Sequence, residues 1–186
     1  MKKIVFLSAI ALVSVASVNA QELKFGVTAG LNLPSFSGDL GEGMVSTIGF
    51  QVGAVADVAL TESFSIVPEL LFTQKGAAPV MGDAITLGYL QLPINAMYKI
   101  AVNDNSKVLV FAGPYIGYGI TSSDDGAEFG SDKTLNPLDF GLNIGAGYQF
   151  GSIFAKAQYN IGLTNVANEG KDGGNSNIAI TVGYLF

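Results

Sequence analysis

The chain has 186 residues, with 24 glycines and neither cysteine nor histidine, and its length suits one domain. It therefore cannot form a disulfide, a thiolate zinc site, or a Ser-His-Asp or Cys-His catalytic arrangement. The nine lysines are the only basic residues. Without Lys2 and Lys3, the chain has seven lysines and 15 acidic residues, which gives a formal charge of −8. This negative charge argues against a nucleic-acid partner.

The first twenty residues have the pattern of a secretory signal peptide. Lys2 and Lys3 precede an apolar stretch over 4–18, and residues 18–20 form a small-x-small cleavage pattern. We therefore expect residues 1–20 to be removed and 21–186 to form the mature domain. No later apolar run approaches the roughly 20 residues that a membrane helix requires, so only a barrel could take this domain across a bilayer.

Eight segments of the mature chain alternate apolar residues with small or polar ones, the period-2 pattern of strands with two different faces. In chain order these segments are 23–33, 47–60, 64–75, 86–100, 107–120, 138–150, 153–163 and 177–186. The alternation is clearest in 138–150 and ambiguous in 107–120, where two apolar sets compete. For that segment we assign to the outer face Val108, Val110, Ala112, Ile116 and Ile120.

The charged residues of these segments share a face with the glycines, and the opposite face is nearly free of charge. In a soluble lipocalin-like barrel or a sandwich the large apolar residues would instead fill the interior and the charges would face water. This inverted pattern favours an all-β fold: an eight-stranded, antiparallel, up-and-down transmembrane β-barrel of a bacterial outer membrane.

The connections between segments alternate in length. Short ones follow the second, fourth and sixth segments, at 61–63, 101–106 and 151–152. Those after the odd-numbered segments are mostly longer and rich in Gly, Ser, Asp and Asn, at 34–46, 76–85, 121–137 and 164–176. We expect the short turns and both termini on the periplasmic side and the long loops outside the cell.

Three prolines interrupt the segments, at Pro68, Pro93 and Pro114. Proline cannot donate a ladder hydrogen bond, so it usually marks an edge strand or a bulge. We expect bulges near the barrel rims to accommodate them.

Seven charged residues are predicted to point into the lumen: Lys24, Asp57, Glu69, Lys75, Lys99, Asp139 and Lys156. An eight-stranded barrel is just wide enough for side chains to fill it. We therefore expect these groups to pair across a closed core, with a narrow gated channel as the alternative.

The predicted outer loops are acidic. Among them, Asp124, Asp125, Glu128 and Asp132 lack the spacing of an EF-hand loop, so we interpret them as a solvated rim rather than a calcium site. The Gly-x-Gly runs precede no helix, and inward glycines make room for neighbours in a small barrel. No serine or threonine has a base beside it, so we predict no enzyme activity, no cofactor and no metal site.

Several motifs together resemble the PorT-like outer-membrane β-barrel family common in Bacteroidetes. They are LKFGVTAGLNLP, LQLPINAMYKI, VFAGPYIGYGI, NPLDFGLNIGAGYQF, AQYNIGLTNV and ITVGYLF. The resemblance implies a barrel with a C-terminal aromatic signal, here Tyr184 and Phe186, that the barrel-assembly machinery recognises. It implies little about activity, although the founding member is linked to protein secretion.

These observations predict a non-enzymatic outer-membrane barrel with a structural or surface-binding role, and an accessory role in protein secretion as a narrower variant. The expected partners are outer-membrane lipid, the assembly machinery, and an unidentified extracellular or secretion-system protein. Two alternatives stay open. One is a narrow channel or transporter for ions or small solutes, and the other is an adhesin that acts through the long loops.

Overall fold

A computed structural model describes residues 22–36, 44–79, 85–123, 129, 136–165 and 174–186. These residues form nine β-strands: β1 (Glu22–Phe36), β2 (Met44–Ser46), β3 (Gly49–Ala59), β4 (Phe64–Pro79), β5 (Ile85–Asn103), β6 (Ser106–Ser122), β7 (Leu138–Phe150), β8 (Ile153–Asn165) and β9 (Gly174–Leu185). No helix long and apolar enough to cross a membrane occurs in these ranges. The predicted signal peptide, residues 1–20, lies outside them.

The strands close into a barrel with eight strand positions around its wall. All neighbours are antiparallel, β1 pairs with both β3 and β9, and the β4–β5 pairing closes the ring. β2 and β3 both pair with β4 and are separated only by Thr47 and Ile48, so together they occupy one strand position in the wall. The predicted eight-stranded barrel is confirmed.

Side chains alternate strictly between the two faces of the wall. In β7, Ile144 is 57% exposed on the outside while its neighbour Asn143 is 2% exposed in the lumen. The ambiguous segment is resolved as predicted, because Val110 and Ile116 are exposed outside while Phe111 is buried inside. The surface is apolar and the interior largely polar, the reverse of a soluble barrel, so the lipocalin-like alternative is wrong.

The three described turns are short and lie at one end of the barrel, together with Glu22 and Phe186. Between β7 and β8 the chain turns through Gly151 and Ser152, with Gly151 at φ 57°. A glycine with positive φ at the first central position is typical of a type II′ hairpin turn. In the β3–β4 turn, the Thr61 hydroxyl accepts a hydrogen bond from the Phe64 amide at 3.0 Å.

The prolines are accommodated without bulges, contrary to our expectation. The register on either side of Pro68, Pro93 and Pro114 is unchanged, and the ladders lose only a few pairings near them. The bulges or irregularities lie elsewhere, at residues 88–89, 101–103 and 161–165. A missing N–H removes a ladder bond but does not require an extra residue in the strand.

Inward glycines lie opposite inward aromatic rings. Four cross-strand pairs have this arrangement: Tyr89 with Gly119, Phe111 with Gly145, Tyr115 with Gly141, and Phe154 with Gly183. A Cβ at Gly145 would meet the Phe111 ring, and one at Gly183 would meet the Phe154 ring. Glycine on one strand therefore makes space for a ring from the next, which lets a narrow barrel hold large side chains.

Candidate functional site

Three buried ion pairs cross the lumen. From the end with the short turns to the end with the long loops they are Asp57–Lys99, Glu69–Lys156 and Lys75–Asp139. The Lys99 Nζ–Asp57 Oδ2 distance is 2.5 Å and the Lys75 Nζ–Asp139 Oδ2 distance is 2.9 Å. Six of the seven charges assigned to the lumen by sequence thus lie there in pairs.

The seventh, Lys24, lies at the rim and outside this network. Its side chain is 41% exposed, and its Nζ is 3.3 Å from Oε1 of Glu22 on the same strand. Glu22 precedes Lys24 by two residues, so the two side chains lie on the same face of β1, because side chains on a strand return to the same face every second residue. An exposed pair of this kind contributes little stability.

Aromatic rings enclose the ion pair nearest the long loops. Lys75 Nζ lies 5.2 Å from the centroid of the Tyr89 ring and 5.4 Å from that of Tyr115. The Tyr115 hydroxyl donates to Asp139 Oδ1 at 3.3 Å. Phe129 packs edge-on against Tyr89, with ring centroids 5.4 Å apart. The ammonium therefore has a carboxylate and two π-faces as partners.

The central ion pair is partly satisfied by its neighbours, since Glu69 Oε2 has no hydrogen-bond partner among the described residues. Glu69 Oε1 accepts hydrogen bonds from Lys156 and, at 3.4 Å, from Asn95 Nδ2. Lys156 Nζ is 5.5 Å from the Phe111 ring centroid and 6.0 Å from that of Phe154. Burying two charges costs solvation free energy, which such partners offset only when the geometry is good.

A belt of buried asparagines surrounds the middle of the lumen. It consists of Asn32, Asn95, Asn143, Asn160 and Asn177, each at most 2% exposed. Asn143, Asn160 and Asn177 lie directly opposite one another on three successive strands. Asn177 donates to Asn32 Oδ1 at 3.2 Å, and Asn143 donates to Asn95 Oδ1 at 3.4 Å. These two hydrogen bonds connect β9 to β1 and β7 to β5, whereas Asn143 Oδ1 and Asn177 Oδ1 have no hydrogen-bond partner among the described residues.

An apolar layer separates the first ion pair from the central one. Its buried side chains are Val55, Val67, Met97, Leu109, Phe111, Phe154 and Leu185. A gap of 20 Å³ in this layer is bordered by both Asp57 and Lys156. That volume holds about one water molecule, so the gap leaves little room for water between the two ion pairs.

Six of the seven charges named from sequence lie in the lumen, but sequence analysis did not identify several of their partners. Tyr89, Tyr115 and the asparagine belt were on the inward side by parity, without an assigned role. The signal for part of the belt was present, because a two-residue turn at 151–152 sets the register that places Asn143 opposite Asn160. Phe129 lies in a predicted loop and carried no signal.

In the described part of the chain, no three acidic side chains gather into a possible metal site. Each inward carboxylate accepts a hydrogen bond from a lysine, and Asp139 also accepts hydrogen bonds from the hydroxyls of Tyr115 and Thr164. The acidic residues Asp124, Asp125, Glu128 and Asp132 lie outside the described residues.

Tyr184 and Phe186 lie on the lipid-facing surface at the end with the short turns. Their rings are 5.7 Å apart in a T-shaped arrangement, and Phe186 is 73% exposed. The Phe186 amide donates to the carbonyl of Phe25 at 2.7 Å, which ties the end of β9 to β1. Both rings are therefore displayed on the outside of a fixed backbone.

The sequence profile of a family described as the outer membrane protein beta-barrel domain matches residues 19–168. The chain belongs to this family. The domain is thus a β-barrel protein of a bacterial outer membrane, as its apolar outer face requires. None of the curated proteins is significantly similar to it in sequence.

A solved structure of an outer-membrane barrel has the same fold as this family member. Neisserial surface protein A (NspA) superposes with a TM-score of 0.58 at 16% identity, over 89% of this chain and 100% of NspA. The attachment invasion locus protein Ail of Yersinia pestis gives a TM-score of 0.49 at 16% identity, over 89% of this chain and 100% of Ail. At 16% identity, the likeness to NspA shows the fold alone.

Proposed function

We propose that this protein is a closed, non-conducting outer-membrane barrel that acts as a structural and surface-binding scaffold. The observation that supports this most directly is the filled lumen, in which three ion pairs and the apolar layer occupy the cross-section. A pore would need a continuous polar path, whereas the gap in the apolar layer measures 20 Å³. The barrel wall then serves to hold the long loops at the outer surface of the membrane.

Planar-bilayer conductance tests the closed lumen. We expect no step currents from the purified barrel, and small currents from the Phe111→Ala/Phe154→Ala variant, in which two rings of the apolar layer are removed. The double variant thereby serves as the positive control. Step currents from the unmodified protein that change on neutralising Lys99 or Asp139 would favour the channel alternative.

The outer end of the barrel supports the surface-binding part of the proposal. Phe129, from the connection between β6 and β7, packs edge-on against Tyr89, so this one residue of the connection contacts the barrel wall. A partner that binds there would be lost on trimming residues 121–137, while unboiled and boiled samples should still migrate differently on a gel. Loss of both properties would mean that trimming damages the barrel itself.

A narrower role in protein secretion is proposed on the resemblance to PorT-like proteins. A strain that lacks this protein should then secrete less mature protease into the medium, and plasmid-borne protein should restore it. Normal secretion in that strain would leave the scaffold role without the secretion function.

Assembly of the barrel is proposed to use the displayed rings of Tyr184 and Phe186 as its recognition signal. Their exposure on the lipid face makes both rings available to the barrel-assembly machinery. Phe186→Ala should lower the amount of folded protein in the outer membrane, whereas Phe150→Ala, an exposed aromatic at the same end, should not. Equal effects would indicate a general loss of lipid-facing surface.

A further inference from the structure

One side chain of the connection between β6 and β7 contacts two wall residues at once. The Phe129 ring packs edge-on against Tyr89 of β5, with ring centroids 5.4 Å apart and an interplanar angle of 73°. The same ring lies over Gly119 of β6, where an added Cβ would overlap it. Tyr89 and Gly119 are directly opposite each other in the β5–β6 ladder. The Phe129 ring therefore fills the space that glycine leaves beside Tyr89.

The Tyr89 ring is also held by contacts within the lumen. Tyr89 is 1% exposed, and the Lys75 ammonium, which is paired with Asp139, lies 5.2 Å from its ring centroid. The register of the β5–β6 ladder shifts between Gly88 and Tyr89. Irregularities of this kind change the direction in which a strand presents a side chain. Phe129 thus packs on a ring whose position the wall and the lumen already determine.

The connection has one residue suited to this contact. Between the end of β6 and the start of β7, Phe129 is the only aromatic residue, and four of the others are acidic. Packing a phenyl ring on the wall is favourable, whereas charged side chains would lose solvation there. The end of the connection reaches the same place, because the Gly119 amide donates to the Pro137 carbonyl at 2.7 Å. Phe129 and Pro137 therefore both meet the wall at Gly119.

We propose that Phe129 is an anchor that fixes the middle of the β6–β7 connection to the barrel wall, and that the conformation of the connection depends on this one contact. An engaged ring divides one long loop into two shorter ones, each with less conformational freedom. Release of the ring opens the connection locally without opening the barrel. The inference goes beyond the proposed binding role, because it holds whether or not a partner binds the connection.

Limited trypsin digestion of the barrel in detergent micelles tests the anchor. Trypsin cleaves after lysine, and Lys133 lies four residues beyond Phe129 in the sequence. When local opening is fast, the cleavage rate follows the population of the open form. Phe129→Ala should be cleaved after Lys133 about three- to tenfold faster than the unmodified barrel, because an aromatic pair is lost. Cleavage after Lys171, between β8 and β9, is the internal control and should keep its rate.

A matched pair of wall variants removes the same contact without a change in the connection. Gly119→Ala places a methyl group where the Phe129 ring lies, whereas Gly117→Ala adds one on the same face of β6 at an ordinary distance of 3.4 Å from Asp139 Cβ. We expect Gly119→Ala to speed cleavage after Lys133 as much as Phe129→Ala does, and Gly117→Ala to leave it unchanged. The Phe129→Ala/Gly119→Ala double variant should be no faster than either single variant, because both substitutions remove one shared contact.

Three results would overturn the proposal. They are an unchanged cleavage rate in Phe129→Ala, equal acceleration by the two glycine variants, and equal acceleration after Lys133 and Lys171. Unboiled and boiled gel mobility shows whether each variant still forms the barrel. If Gly119→Ala does not fold, Tyr89→Leu takes its place, since it removes the wall ring, and it should match Phe129→Ala in cleavage rate.

Discussion

A side chain in this lumen is tolerated or rejected according to what lies opposite it on the neighbouring strand. Four inward glycines lie opposite rings, and at Gly145 an added Cβ would come within 2.8 Å of Cε2 of Phe111. Cores packed to this density respond to a single methyl group. Inward glycines of this barrel are therefore packing positions rather than flexible ones.

Gly145→Ala should destabilise the barrel by about 1–3 kcal/mol, because the new methyl group must displace the Phe111 ring or the wall of β8. The measurement is the fraction that migrates as folded barrel on unboiled gels across a urea series. Ala146→Val, the adjacent residue on the lipid face, is the control and should shift the midpoint little. Equal shifts would show that any added bulk in β7 is harmful.

The side of the wall that each residue faces could be predicted from sequence, but the partner of each residue could not. The two-residue periodicity of a strand identifies which charges point inward. It does not identify their partners: Lys75, for example, pairs with Asp139, which is 64 positions away in the sequence. That distance is bridged by four strands whose registers depend on turns and bulges. Periodicity contains no information about these registers, so the ion pairs appear only in the folded barrel.

The strands themselves were predictable to within a few residues, and the turns explain why. At 151–152 the prediction and the structure agree, because a two-residue turn with glycine leaves little freedom. At the predicted connection 101–106 the structure is shorter, since β5 continues to Asn103 and β6 begins at Ser106. There, the Asn105 amide donates to Asn103 Oδ1, a local bond that tightens the turn.

Gly151→Val should weaken the β7–β8 hairpin by roughly 1–2 kcal/mol, because a β-branched residue is strained at φ 57°. Gly151→Asn should be better tolerated, since asparagine adopts positive φ more readily. Refolding yield into detergent micelles, read from heat-modifiable gel mobility, compares the two variants. A similar loss of refolding yield in both variants would show that any side chain at position 151 weakens the turn, however readily the residue adopts positive φ.

The whole molecule is an inside-out protein, with apolar residues on its surface and charges within. Wherever the surrounding medium is lipid, backbone groups must be bonded within the wall, and the closed ring of strands achieves this. Two isoleucines on the outer face allow a depth test. Ile144 lies midway along β7 and Ile153 lies beside the turn, with nearly equal exposures of 57% and 58%.

Ile144→Lys should destabilise the barrel in lipid bilayers by about 2–4 kcal/mol, and Ile153→Lys by about 0–1 kcal/mol, because a charge costs most at the bilayer midplane. Unfolding in urea from vesicles measures both. If the outer face contacted water, the two substitutions would have equal and small effects.

The prolines have a consequence for where this ring is weakest. Pro68, Pro93 and Pro114 lie on three successive strands, near the places where the β3–β4, β4–β5 and β5–β6 ladders lose pairings. The junction of β1 with β9 instead pairs without interruption from Gly26 to Phe36. The first and last strands are therefore joined by a continuous ladder. Thermal fluctuations of the wall should begin in β3 to β6. The backbone amide hydrogens of these four strands should then exchange with solvent before those of the β1–β9 ladder.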